Sequence, residues 1–345
     1  MIKNDPALFE ELKGKRVLVT GATGLIGQTL VKKLVSCGAE VVAVIRNEEK
    51  ARRIFQNTER ISFLVSDITV LPIRSMDIDY VIHTAASTSS KSFIQNPVGI
   101  AFTSLEGTKR TLELARRNPI KAYVYLSSME IYGPLADDSK VNELHPSALD
   151  TMRARSSYAE SKRMCESLCA AYCAQYKVPA KVVRLTQTFG EGVRYDDERV
   201  FAEFARSVIE GRNIVLHTKG ETKRSYLYVE DAVNAILTVL LRGVEGEAYN
   251  VANEDTYCSI LEMAQMVAGR FGGDKVRVVF DTPEDAAGLG YAPTLHINLD
   301  TQKLRNLGWH PNTELAEMFD HLIADMRIKK NMSAEAADKN QKDML

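Results

Sequence analysis

RVLVTGATGLIG, residues 16 to 27, decides how the chain folds. An apolar run (RVLVTG, 16–21) stops at a glycine, and the next apolar residues open a helix. Gly21, Gly24 and Gly27 stand three apart. A strand that turns tightly into a helix brings backbone N–H groups and the helix N-terminus against a pyrophosphate, and side chains at those positions would block the approach. The turn therefore predicts a dinucleotide site. It is made by Gly21, Thr23, Gly24, Leu25, Ile26 and Gly27.

Outward from that turn the same rhythm continues. EVVAVI (40–45), ISFLVS (61–66), YVIHTA (80–85), AYVYLS (122–127) and AKVVRL (180–185) read as strands. Helical patterns near 25–37, 97–117 and 157–176 separate most of them. Near-continuous apolar strands suit a parallel sheet covered on both faces. The fold expected is α/β: a Rossmann-type doubly wound parallel sheet with a smaller C-terminal α/β domain. Residues 1–187 form the first domain, with a return near 226–254. Residues 188–225 and 255–328 form the second, and the polar stretch 329–345 reads as a flexible tail. DPALFEEL, near the start, reads as a short helix with Asp5 as cap.

Bulk properties set limits. The 345 residues carry a net charge of −1, with 45% apolar and 26% charged residues. No basic field points to nucleic acid or an anionic membrane. No apolar run approaches the ~18 residues that span a bilayer. A soluble, cytoplasmic protein is expected. Cys165, Cys169 and Cys173 recur every four residues. The six histidines are scattered without zinc-type spacing, so the cysteines read as small buried hydrophobes and no metal site is expected.

Further cofactor contacts follow from the strand ends. VIRN closes the second strand, where a carboxylate would accept the ribose hydroxyls of NAD. This chain places Arg46 there. Arginine can pair with a 2′-phosphate, which favours NADP and leaves NAD open. Asp67, with Ile68 beside it, ends the third strand where adenine would lie. Ala85 and Ala86 end the fourth and let a cofactor pass close to the backbone.

Chemistry is expected from Tyr158 and Lys162, in SSYAESK. Four residues apart on a helix, they share a face. A phenol with an ordinary pKa near ~10 is a poor base at neutral pH. A nearby ammonium and a positive nicotinamide both lower that pKa, so Lys162 makes Tyr158 usable.

TGATGLIG, HTAAS, LSSMEIYG, YAESK, RLTQTFG, RSYLYVEDAV and LGWHP together resemble the extended short-chain dehydrogenases/reductases of the nucleotide-sugar epimerase/dehydratase group. The matching pieces run from residue 16 to 311. RLTQTFGEGVRYDDERVFAEF is most similar to UDP-glucuronate decarboxylases. The resemblance implies that Tyr158 takes a proton from a sugar hydroxyl as hydride leaves its carbon, that Lys162 also holds the nicotinamide ribose, and that Ser128 hydrogen-bonds the same hydroxyl. Ser87, Met129, Gln187, Arg199 and Arg224 would meet the substrate, with Arg224 gripping the diphosphate and Arg199 assisting.

The order Ser128–Met129–Glu130 departs from the Ser/Thr–Asp–Glu order of 4,6-dehydratases. Glu130 keeps a base beside the transient ketone. Met129 removes the acid that would protonate a leaving hydroxyl. Gln187 and Ser104 stand where asparagines are usual, and AAGLGYAPTLHINLD lacks the arginine that decarboxylases carry for a substrate carboxylate. The reading is an enzyme that oxidises C4 transiently and then epimerises. A 4,6-dehydratase, a UDP-glucuronate decarboxylase-like enzyme and an NADPH-dependent keto-sugar reductase are the alternatives. A non-enzymatic cofactor-binding protein would need a broken Tyr/Lys pair or glycine turn, and neither is broken. A homodimer is expected.

Overall fold

The computed structural model describes residues 6–56, 59–86, 90–135, 137–282 and 294–342. Ser87 and Asp5, singled out above, lie outside the described residues.

Five strands come first: β1 (Arg16–Thr20), β2 (Glu40–Ile45), β3 (Ile61–Val65), β4 (Tyr80–His83) and β5 (Ala122–Ser128). With Ala180–Leu185 and Ala248–Val251 they make a seven-stranded sheet, all pairs parallel. From one edge the order is 248–251, 180–185, β5, β4, β1, β2, β3. The winding reverses between β1 and β4, and a crevice opens at the strand C-termini where such a reversal occurs. The glycine turn follows β1 directly, and Ser128 ends β5. The strand order thus brings two sequence-distant segments to one rim.

Both faces of the sheet are covered, which is why its strands read as continuous apolar runs. One core gathers Val17, Val19, Leu30, Ile82, Val124, Ile236 and Tyr249. On the opposite face Leu18, Val81, Tyr123 and Tyr125 pack with Cys165 and Cys169. These two cysteines are buried free thiols.

A second sheet joins Asn253–Ser259, Lys223–Tyr228, His296–Leu299 and Lys140–Val141, with Gln187–Phe189 added alongside Lys223–Tyr228. Its own core holds Phe189, Phe201, Phe204, Tyr226, Met263 and Phe319. The domains interleave more than the sequence boundaries suggested. Lys140–Val141, inside the stretch assigned to the first domain, pairs in the second sheet. Leu304 and Trp309, assigned to the second, pack into the first core. The buried Asp231 sets that return: its backbone carbonyl accepts from Trp309 Nε1 at 3.1 Å and its carboxylate from the Asn312 and Thr313 amides.

The helix Leu315–Lys342 continues into the polar stretch that begins at 329. Met318, Phe319, Leu322, Ile323 and Met326 bury one face of that helix, and the polar residues extend a helix already nucleated. Lys329 Nζ donates to the Val193 carbonyl at 3.1 Å. Among the described residues no helix is long and apolar enough to cross a membrane.

Candidate active site

The cofactor end is made of backbone. Gly21 has φ +65°, and a Cβ on it would lie 2.7 Å from Thr84 Oγ1 and 2.8 Å from the Ala85 backbone. A Cβ on Gly27 would lie 2.2 Å from the Gly21 carbonyl oxygen. Both positions need glycine, one for its dihedral and both for space. Gly24 is the N-cap of the helix Leu25–Ser36 and gives it no side-chain cap. The first-turn N–H groups therefore keep their donors for a ligand, and the dipole there favours an anion. Thr23 sits in the turn, while Leu25 and Ile26 pack partly into the core beneath. The cradle fits a dinucleotide pyrophosphate.

Beneath the turn lies a histidine that sequence reasoning passed over. His83 Nδ1 is 2.7 Å from Thr20 Oγ1, and Nε2 is 3.3 Å from Thr108 Oγ1. Burial, with Lys162 nearby, lowers its pKa to about 3, so it is neutral. Thr20 Oγ1 in turn accepts from the Ala85 amide, and Thr84 Oγ1 donates to the Thr20 carbonyl. This network fixes the backbone of Ala85, beside the half-buried Ala86, next to Gly21.

Arg46 is exposed immediately after β2. Asp67 Oδ1 accepts from the Thr69 amide and hydroxyl, which hold its carboxyl below the usual range, with Arg46 adding to the effect. Asp67 thus caps a short 3₁₀ helix, Ile68–Val70, and Ile68 is buried under Gly107.

The chemical end forms where β5 meets the helix Ser156–Tyr176. Ser128 caps the 3₁₀ helix Met129–Tyr132, its Oγ accepting from the Glu130 amide at 3.2 Å. Tyr158 is buried, its ring stacked on Phe93 at 4.1 Å between centroids. Burial first, then the Glu130 charge, pushes its phenol well above the ordinary value; the neighbouring Ser128 side chain and the charge of Arg155 pull the other way. Lys162 Nζ donates to the Leu126 carbonyl at 2.7 Å and lies 5.9 Å from the Tyr158 ring centroid. Burial lowers its pKa to about 8. Glu130 is held by Arg155 Nη1 at 3.2 Å. Sequence reading missed Arg155, although it stands three residues before Tyr158 and so shares its helical face.

Ser128, Glu130, Tyr158 and Lys162 are therefore brought together. Met129, expected at the substrate, is buried. It is 4% exposed and packs with Ile131, Val141 and Leu299, and its sulfur lies 3.2 Å from Thr186 Oγ1, whose proton goes to the Ser225 carbonyl. Gln187 is half-buried and lies two residues past Leu185, the partner of Ser128 in the sheet. Arg224 is half-buried on Lys223–Tyr228, the strand that pairs with Gln187–Phe189. Arg199 is engaged at home: its guanidinium holds Asp197 at 2.7 and 2.9 Å. Ser104 is buried and donates to the Ile100 carbonyl, so its hydroxyl serves its own helix.

Comparison with known proteins identifies the family and the fold. The model of the NAD dependent epimerase/dehydratase family matches residues 17–252. UDP-glucuronic acid decarboxylase 1 of Xenopus tropicalis is 28% identical over 334 residues, 93% of this chain and 74% of that protein. UDP-glucuronic acid decarboxylase 6 of Arabidopsis thaliana is also 28% identical, over 91% of this chain and 89% of its own. The UDP-glucose 4-epimerase of Thermotoga maritima, solved with UDP-glucose, superposes with a TM-score of 0.78 at 22% identity over 91% of this chain and 99% of that one, which shows a shared fold. The chain belongs to the NAD dependent epimerase/dehydratase family, within the extended short-chain dehydrogenases/reductases.

Proposed function

We propose that the protein epimerises a nucleotide-diphosphate sugar through transient oxidation at C4. A nicotinamide dinucleotide, held by the Gly21–Gly27 turn and Lys162, supplies hydride acceptance and return when bound. Ser128 orients the C4 hydroxyl. Tyr158 accepts its proton as the carbon becomes a ketone, and gives the proton back on reduction. The ketone acidifies the neighbouring C–H bond; Glu130 removes that proton from one face, and protonation of the resulting enolate from the opposite face by solvent water inverts the carbon. Gln187, Arg199 and Arg224 take the sugar and the diphosphate, where a planar donor fork suits the anion. Ser87, beside the alanine pair, is assigned to the sugar as well.

The observation that carries this reading is the meeting of Ser128, Glu130 and Tyr158 with no acid at position 129. Glu130 serves proton exchange, and the dehydratase acid has no counterpart. The likeness to UDP-glucuronic acid decarboxylases supports decarboxylation as a second reading. Arg46 supports a preference for NADP over NAD. Val98 and Phe102 on the helix Pro97–Arg116, 66% and 68% exposed, lie on one face with helical spacing. Met164 is exposed on the helix Ser156–Tyr176, packed alongside. This apolar surface supports a homodimer.

The test is a panel of UDP-, dTDP-, GDP- and CDP-sugars in heavy water, read by mass spectrometry and NMR. Deuterium gain at carbon with no other mass change supports epimerisation beside the ketone. A 4-epimer without deuterium assigns hydride return to the opposite face and removes Glu130 from the mechanism. Loss of water or of carbon dioxide overturns epimerisation in favour of dehydration or decarboxylation.

A further inference from the structure

Glu130 and Tyr158 set a problem for each other. The proposed mechanism asks one to act as a carboxylate and the other to become a phenolate, side by side. The Glu130 charge opposes ionisation of Tyr158. Lys162 faces Tyr158 from one side, its ammonium donating to the Leu126 carbonyl and lying 4.8 Å from the Tyr125 ring centroid and 5.9 Å from that of Tyr158. The cation that pairs with Glu130 and also acts on Tyr158 is Arg155, at the N-terminal boundary of the helix that carries Tyr158. Its guanidinium donates to Glu130 Oε2, and the pair is partly shielded, with side chains 31% and 18% exposed.

We propose that Arg155 is a positioning residue that holds Glu130 in place and offsets its charge, so that Tyr158 can ionise beside it. This inference rests on the reading of Tyr158 as the base. Arginine suits the task because its guanidinium stays charged throughout the working range and holds a fixed direction. The other groups facing Tyr158 are few. Lys162 comes from its own helix, and Tyr125 and Ser128 come from β5. Among the described residues, the helices Ser90–Gln95 and Pro97–Arg116 meet its ring with apolar Phe93 and Ile100.

The test follows the Tyr158 phenol itself, so no substrate is needed. The NAD-loaded protein, in which the positive nicotinamide would draw the phenol back down, is labelled with ¹³Cζ-tyrosine, the Tyr158 signal is assigned by its loss in Tyr158→Phe, and the signal is titrated up to pH ~12. In Arg155→Met the midpoint is expected to rise by about 1 pH unit. In Glu130→Gln it is expected to fall. In the double variant the two shifts cancel, leaving the midpoint near that of the wild type. Arg155→Lys restores most of the shift, which a purely structural role would not do, and this variant also guards against failure of Arg155→Met to fold. A midpoint unchanged in Arg155→Met, or unrestored in Arg155→Lys, overturns the inference while leaving Tyr158 as the base. A phenol that stays protonated to pH ~12 in both wild type and Glu130→Gln removes Tyr158 as the base, and the inference falls with it.

Discussion

The glycine turn at 21–27 and the lip at 128–132 meet at one rim, yet they are held by different means. The turn is backbone throughout. Its shape follows from missing side chains, a positive φ and an uncapped helix N-terminus. The lip depends on side chains from far apart in sequence: Arg155 on Glu130, Thr186 on Met129, Asn250 and Arg184 on Tyr132. A backbone site tolerates almost no substitution and accepts one kind of ligand group. A site of paired side chains can be retuned one partner at a time. This is consistent with a single cofactor turn serving many sugar chemistries.

Breaking the turn gives the largest effect. In Gly27→Ala the new Cβ meets the Gly21 carbonyl at 2.2 Å, so the turn must open. NAD affinity, measured by calorimetry, is expected to fall by about a hundredfold or more. Retained affinity would mean that the cradle is not tight. At the lip, Glu130→Gln keeps the shape and removes the base. Deuterium incorporation by an accepted sugar should slow about a hundredfold, while binding of NAD is unchanged.

A third prediction concerns the support beneath the turn. His83 titrates near 6.5 when unfolded and at about 3 when folded. The unfolded chain therefore binds the extra proton between those values. Stability is complete above about pH 6.5 and is lost as pH falls toward 3, at most about 1.4 kcal/mol per pH unit. Urea unfolding across this range should show that slope in the wild type and a shallower one in His83→Gln. The smallest effect is at the surface. Arg46→Asp should shift the ratio of NADP to NAD affinity toward NAD by roughly tenfold. Unchanged affinities for both would assign Arg46 to solvent.

The same contrast governs what the sequence discloses. The seven-stranded sheet was legible because buried parallel strands leave unbroken apolar runs, and the turn because glycines at fixed spacing mark backbone needs. His83 was visible in HTAAS, but its role depends on Thr20 and Thr108, 63 and 25 residues away. Arg155 was likewise readable only once Glu130 had been brought beside it. Met129 read as a departure at the substrate, and its burial among Ile131, Val141 and Leu299 comes from the second sheet, whose pairing has no local signal. The interleaved domain boundary has the same cause: Trp309 returns to the first core through the buried Asp231.

The central claim is that Tyr158 exchanges the proton that accompanies oxidation of the sugar. The direct test compares wild type with Tyr158→Phe on whichever nucleotide sugar the wild type converts, with bound cofactor confirmed in both. The phenylalanine keeps the ring against Phe93 and removes the hydroxyl alone. Turnover is predicted to fall by about a thousandfold with NAD still bound. Turnover that survives the substitution would contradict the account.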